Sequence, residues 1–425
     1  MAKEIEEKKN HRKFFAHVKT KRTAKREQID DENSNVIEVT PGISARVKVL
    51  IVILVILIAA VVIVSVRRYI NTREYQGYNV VSSVETNGDN IADYIMFSDN
   101  VLKVTKDGVA YIDATGNTVW DCSYAMKMPQ AVVNGDYAAV ADMNGRDVYV
   151  FNKSGKVSNQ TLNYDITNID IASQGVYVVI LSGENENYIN AYDKDSKEIY
   201  EMKTSIENSG YPLDIAVSDD GQKLFTSYVK VDGTTVPDYL AAYNFGSVGQ
   251  NENADRLMGG FTFDDTIFPY VDFIDNDTIA CFGDDRIVIY SMNEKPSEKA
   301  EISLDGREML GVFANSHYVG YISANADTTA GRYHIYIYDT NGKLTAEADY
   351  NNTFSKIYAT EDELIIAGEF DCSIYYLNGA KKFSTTFRKN LIDIVPSGNK
   401  LEYIAIFENE TTIIKLTMKN EKENK

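Results

Sequence analysis

One strand recurs along this chain, and its spacing constrains the fold more than any other feature. An apolar–aromatic–polar run, usually followed by a turn and a second strand, appears as VAYIDATGNTVW (109–120), VYVFNKSGKV (148–157), YINAYDKDSKEIYEM (188–202) and YLAAYNFGSVG (239–249). It continues as IVIYSMNEKPSEKAEI (287–302), IYIYDTNGKLTAEA (335–348), SIYYLNGAKKFSTTF (373–387) and, more weakly, TTIIKLTMK (411–419). The aromatic falls at Tyr111, Phe151, Tyr192, Tyr243, Tyr290, Tyr338 and Tyr375, in steps of 40, 41, 51, 47, 48 and 37 residues. Two more Val/Ile-rich runs precede it, as in NIDIAS–VYVVIL (168–181), LDIAVS–KLFTSYV (213–229) and VDFID–TIACFG (271–283). Each repeat is therefore a four-stranded meander with the aromatic on its third strand. A lone meander cannot bury both faces of its sheet, and stacking neighbours in a ring does so. Repeats of about 40–50 residues of this kind are the mark of a β-propeller.

The two ends of the repeat array predict how the ring closes. The last repeat stops after its third strand, and one orphan strand, YNVVSSVE (78–85), precedes the first repeat. Pairing that strand with the last three removes two free sheet edges. The expected fold is all-β: a propeller of eight four-stranded blades, or seven if the weak copies drop out, preceded by one transmembrane α-helix.

The membrane segment is the run Val49–Val66, eighteen residues of which only Ser65 is polar. A helix of that length covers roughly the 30 Å hydrocarbon core and satisfies its own backbone there. Arg46 and Lys48 flank one end and Arg67 and Arg68 the other, placed to reach toward headgroups. The run is too long, starts too late and ends too basic for a cleaved signal peptide. Residues 1–48 carry 12 Lys+Arg against 8 Asp+Glu, so the positive-inside bias leaves this tail in the cytoplasm and the large domain outside. The chain then divides into a basic, mostly disordered tail (1–46), the membrane helix (47–68), a short connector (69–77), the propeller (78–419) and a disordered end (420–425). The short connector holds the propeller close to the bilayer.

The net charge is −19, and subtracting the +4 of the tail leaves −23 for residues 49–425. An acidic outer domain repels nucleic acid, so none is expected as a partner. Its three cysteines, Cys122, Cys281 and Cys372, fit no metal or redox spacing and suggest a bacterial envelope protein rather than a disulfide-built secreted one. The outer domain's two histidines, His317 and His334, have no clustered carboxylate at ligand spacing. The pairs Asp219-Asp220, Asp264-Asp265 and Asp284-Asp285, and the run Asp193-Lys-Asp195, read as turn residues bonding their own backbone; in that run Lys197 stands where a third calcium ligand belongs and there is no Gly. No phosphate loop or nucleophile motif is visible. No catalytic residue, cofactor site or metal site is expected.

The repeat resembles the quinoprotein-type bacterial propellers, whose blades carry an Asp-x-x-Gly-…-Trp turn. The matching residues are Asp113, Gly116 and Trp120, partly repeated as Asp339-Thr-Asn-Gly342. Trp120 is the only tryptophan, so most of that family's tryptophan docking is missing. Tail, helix and propeller together resemble a group of envelope proteins of clostridial-type bacteria, a resemblance that implies no activity.

Binding sites collect on loops held by a rigid scaffold. Strands one and three of a blade run the same way, so the second-to-third loop and the connection between blades open on one face. Three such loops are long and polar: Ser182–Asn187, Lys230–Asp238 and Ala324–Arg332. They offer Glu184, Asn185, Asn187, Asp232, Asp238, Asp327 and Arg332 as candidate binding residues. An insertion at Gly246–Gly260 opens on the other face. The reading is a non-catalytic, membrane-anchored interaction or ligand-sensing platform at the bacterial envelope, with a protein or cell-wall polysaccharide as partner. The alternative is an envelope enzyme acting on cell-wall carbohydrate, or a degenerate quinoprotein oxidoreductase.

Overall fold

A computed structural model describes residues 45–418, apart from 71, 86–91, 114, 206, 208, 232, 234, 248, 250–254, 294, 327, 328 and 330. The first element is a helix, α1, Ala45–Ile70. Within it Arg46–Val66 is long and apolar enough to cross a membrane, with its side chains exposed. Arg46 and Lys48 are exposed at its start; Arg67 and Arg68 lie within α1, with side chains outside the described residues.

The remainder is a propeller of eight four-stranded antiparallel sheets. Blade I comprises β2–β5 (Asp93–Phe97, Asn100–Thr105, Gly108–Ile112, Thr118–Ser123) and blade II β6–β9 (Pro129–Asn134, Tyr137–Asp142, Asp147–Asn152, Gly155–Thr161). Blade III comprises β10–β13 (Asp165–Ile171, Tyr177–Ser182, Glu186–Tyr192, Glu198–Ser205) and blade IV β14–β17 (Tyr211–Val217, Lys223–Val229, Asp238–Asn244, Leu257–Phe263). Blade V comprises β18–β21 (Tyr270–Asp275, Thr278–Phe282, Arg286–Ser291, Ser297–Ser303) and blade VI β22–β25 (Gly311–Ala314, Tyr318–Ala324, Tyr333–Asp339, Leu344–Tyr350). Blade VII comprises β26–β29 (Lys356–Ala359, Glu363–Ala367, Asp371–Tyr376, Lys381–Thr386). Blade VIII takes β30–β32 (Leu391–Pro396, Glu402–Phe407, Glu410–Thr417) from the end of the chain and β1 (Gly77–Glu85) from its start. The ring closes as its ends predict: β1 pairs with β32 in register from Gly77↔Thr417 to Glu85↔Glu410.

All seven recurrent aromatics are on the third strand and buried. There the ladder to the fourth strand shifts register, as between Val150 and Phe151 or between Ile374 and Tyr375. Such a bulge bends and twists the outer strand, and the ring packs between blades. Trp120 shows it: the indole stacks on Tyr111 of its own blade (5.3 Å) and Phe151 of the next (5.4 Å), and its Nε1 donates to the Lys153 carbonyl (3.0 Å). The neighbouring turn is self-bonded, with Asp113 Oδ1 accepting from the amides of Thr115 (2.8 Å) and Asn117 (2.9 Å) and Gly116 at φ 86°. Asp193 does the same for the amides of Asp195 and Lys197, so the Asp193-Lys-Asp195 run is a turn.

Candidate interaction face and channel mouth

The innermost strands β2, β6, β10, β14, β18, β22, β26 and β30 surround the axis of the ring, each with one edge unpaired by its own sheet. An amide left bare on such an edge costs stability, so something must accept from it. In blades III–V aspartates do this. Asp170 Oδ2 accepts from Val217 N of the next blade (2.8 Å), and Asp214 Oδ2 accepts from Val271 N of the blade after (2.7 Å). Asn168 Nδ2 donates to Asp214 Oδ1 (2.5 Å). Asp272, on β18, meets instead the Tyr270 hydroxyl (3.2 Å). Burial pushes Asp170 and Asp272 up to about 7, reinforced by the neighbouring aspartates and opposed for Asp170 by its amide bonds. Asp214 is pushed up to about 6 by burial.

Across the ring a lysine takes over. Lys356, first residue of β26, donates to Asp393 Oδ2 of blade VIII (2.9 Å) and Asp93 Oδ1 of blade I (2.6 Å). Asp393 is buried, whereas the Asp93 side chain is 64% exposed. Beside this ionic floor lies a cavity of about 550 Å³ walled by Leu310, Val312, Phe354, Tyr358, Met96 and Val395. Asp93 and Lys356 begin their strands, and Leu310 and Phe354 lie on the connections between blades. The cavity therefore opens on the face made by second-to-third loops and blade connections.

That face is the one the loop lengths single out, and it carries exposed apolar side chains. Met128, Tyr164 and Leu310 lie on blade connections, Tyr270 at the start of β18, and Val231 (75% exposed) and Phe370 on second-to-third loops. Elsewhere on the propeller, exposed large apolar residues such as Val119, Ile199 and Leu344 lie singly on outermost strands, and Val80 with Val81 on β1. The chain reaches the propeller on the opposite face: Tyr75 N donates to the Lys382 carbonyl (2.7 Å), Gln76 N to the Thr417 carbonyl (3.1 Å), and Tyr376 Oη to the Arg73 carbonyl (3.0 Å).

The loop residues expected to bind are spread over three blades. Glu184 and Asn185 are exposed at the tip between β11 and β12, but this turn is short, because Ser182 and Asn187 are paired ladder residues and Gly183 N donates to the Glu186 carbonyl (2.8 Å). Asn187 is buried in β12, its carbonyl accepting from Thr204 Oγ1 (3.3 Å). Asp238 is fully buried as the first residue of β16, where Oδ2 accepts from Phe268 N and Ser227 Oγ (both 3.0 Å); burial pushes it up to about 6. Neither side chain is presented to a ligand. Arg332 is exposed, its guanidinium 5.8 Å from the Tyr333 ring centroid. Asp232 and Asp327 lie outside the described residues. The expected opposite-face insertion spans 245–256, since Gly259 and Gly260 are in β17.

Among the described residues no three His, Cys, Asp or Glu side chains are grouped to hold a metal ion. His334 sits between Asp349 (2.7 Å) and Glu347 (3.3 Å), and His317 beside Ser316 (2.6 Å). The channel residues Lys356, Asp93, Asp393 and Asp214 went unread in the sequence. Asp214 and Asp393, like Asn168, follow directly after a bulge in the first strand, whereas Asp93 and Lys356 begin first strands that pair without one.

A family model described as a family of unknown function (DUF5711) matches residues 71–416. No curated protein matches the chain in sequence. Among solved structures, Chaetomium thermophilum Sqt1, bound to the N-terminus of the ribosomal protein L10, is similar at a TM-score of 0.54 and 10% identity, over 79% of this chain and 99% of that one. The C-terminal WD40 domain of Sif2 is similar at a TM-score of 0.54 and 10% identity, over 80% and 99%. BamB from Moraxella catarrhalis matches at a TM-score of 0.49 and 11% identity, over 80% and 100%.

Proposed function

The chain belongs to that family, DUF5711, and for this member we propose a membrane-anchored propeller, held outside the cytoplasm by α1, that docks a protein partner on one face at the cell envelope. A single observation carries the reading: exposed Met128, Tyr164, Val231, Tyr270, Leu310 and Phe370 all lie on the one face onto which the cavity opens, and Leu310 lines it. Clustered exposed apolar side chains within a polar rim mark interaction surfaces, whereas scattered ones need no explanation. The rim includes Glu184, Asn185 and Arg332, and it lies on the face away from the point where the chain arrives. The same fold, in Sqt1, holds the N-terminus of another protein. The basic tail lies on the cytoplasmic side, and the quinoprotein-type resemblance enters as blade layout, with Trp120 docked between two blades.

Photo-crosslinking residues at positions 231 and 370, with a control at 199, test the docking in intact cells. The expected result is a discrete protein crosslink from 231 and 370 and none from 199. Crosslinks from none of the three overturn the docking, and an outer domain that survives protease shaving of intact cells overturns the topology.

A further inference from the structure

We propose that the channel mouth receives a cationic, apolar-flanked segment of the partner polypeptide, with the cation at Asp93 and the flanking apolar side chains in the cavity beside it. This rests on the docking reading above and adds the chemistry of what docks. The cavity has two unlike sides. One is apolar, made by Leu310, Val312 and Phe354; the other is the ionic floor of Lys356, Asp393 and Asp93. Lys356 gives Asp393 its counter-charge inside the protein, where an uncompensated carboxylate is costly. Asp93 differs. Among the described residues its Oδ1 is engaged by Lys356 and by Tyr94 N (2.9 Å), and the side chain is 64% exposed at the lip of the cavity. An aliphatic stem ending in a guanidinium or ammonium matches that juxtaposition, because such side chains bury the stem and keep the charge at the rim.

Charge on the surrounding face points the same way. Glu184, Asp264, Asp284, Glu308 and Glu369 are exposed on its loops and connections. Of the cations on those loops, Arg146, Arg286, Arg307 and Lys389 are paired with Asp165, Asp285, Asp305 and Glu410, while Lys106, Lys127 and Arg332 are exposed there beside the acidic residues. An acidic face around an apolar mouth steers a basic segment toward it and repels an acidic one. A polysaccharide without charge would gain nothing from this ring of carboxylates.

The full chain in lipid nanodiscs is titrated calorimetrically with an acetylated 15-residue leucine–lysine peptide and with its leucine–glutamate counterpart. The leucine–lysine peptide is expected to bind saturably at one site, more weakly as salt rises, with the glutamate peptide silent. Asp93→Lys, which also breaks the Lys356 contact, and Leu310→Gln, at an exposed side chain, are each expected to weaken binding by about tenfold, with a melting curve retaining a cooperative transition for both. Ile199→Gln, on an outer strand, is expected to leave it unchanged. Equal binding of the two peptides overturns the proposal. So does wild-type affinity in both Asp93→Lys and Leu310→Gln, which shows adsorption to acidic surface at large. In cells, a crosslink from position 370 to a segment without net positive charge overturns the cationic inference and leaves the docking reading standing; crosslinks from neither 231 nor 370 remove the docking reading itself.

Discussion

Blades III, IV and V are tied to one another by carboxylates that accept backbone amides, whereas blades VII, VIII and I are tied by lysines. In the first group Asp170 and Asp214 each reach one blade onward, and no cation faces them across those bonds. In the second group Lys356 bridges three blades. On the opposite face Lys382 is buried with Glu363 and Tyr403, its Nζ bonded to both, and lies over the rings of Tyr376 (5.6 Å) and Tyr403 (5.4 Å). The difference follows the chain. Blades III–V are consecutive in sequence, so a short polar stitch suffices once they are adjacent. Blades VII and VIII are consecutive too, but blade I and β1 join them only when the two ends of the chain come together, and the Lys356–Asp93 contact spans that seam. A buried ion pair adds little net stability but penalises every arrangement that separates its members.

The largest effect is expected from the seam itself. Replacing residues 77–85 by a glycine–serine stretch of equal length leaves the edge of β32 bare and uncovers Phe383, Ile414 and Leu416 of the closing core. The loss is on the order of the 5–15 kcal/mol a domain has in total, so no cooperative transition survives in calorimetry and the protein elutes as aggregate. A normal melting transition in that variant would place the stability elsewhere than the seam. Second in size is the Lys382 cluster. Lys382→Met strands the Glu363 carboxylate among buried groups and is expected to cost about 3–5 kcal/mol in denaturant unfolding. Adding Glu363→Leu is expected to restore most of it, because two apolar residues replace a pair rather than orphan a charge. Additive losses in that double variant would mean that the two side chains do not act as a pair.

Much of this layout is legible in the sequence, and the reason is periodic. The third-strand aromatic repeats once per blade, so blade number, strand order and ring closure follow from spacing. The orphan strand at 78–85 pairs where a missing fourth strand leaves room. Loop ends are less legible. Asn187 and Asp238 look like loop residues because polar residues precede them, yet both are ladder positions with buried side chains. The alternation that marks a strand does not say which polar residue turns toward a neighbouring blade. The channel is less legible still. Asp170, Asp214 and Asp272 alternate with apolar residues as the solvent side of any strand would, and their partners are 47 and 57 residues away or on their own strand. Bulges hide the equivalence of Asn168, Asp214 and Asp393 by shifting the alternation by one residue.

The smallest expected effect separates the two kinds of stitch by pH. Asp272 belongs to the carboxylate group but accepts no amide from the next blade; its described polar contact is the Tyr270 hydroxyl, and Asp170, Asp214 and Asp219 are the charges around it. Its folded value of about 7 lies above the ordinary 3.8. The native state therefore holds a proton that the unfolded chain has released, and the stability this group contributes falls as pH rises from about 4 to about 7. Asp272→Asn mimics the protonated form at every pH. At pH 8 the variant is expected to melt about 1–3 °C above the parent, as about 1 kcal/mol shifts a domain of this size by a few degrees at most. The gap is expected to narrow as pH falls below about 7 and to close only near pH 4. Lys382→Met, by contrast, is expected to lower the melting point at both pH 6 and pH 8, because it removes the partner of a buried carboxylate rather than a proton. A gap for Asp272→Asn that stays constant from pH 5 to pH 8 would mean that this carboxylate is ionised throughout and that the two halves of the channel do not differ in proton affinity.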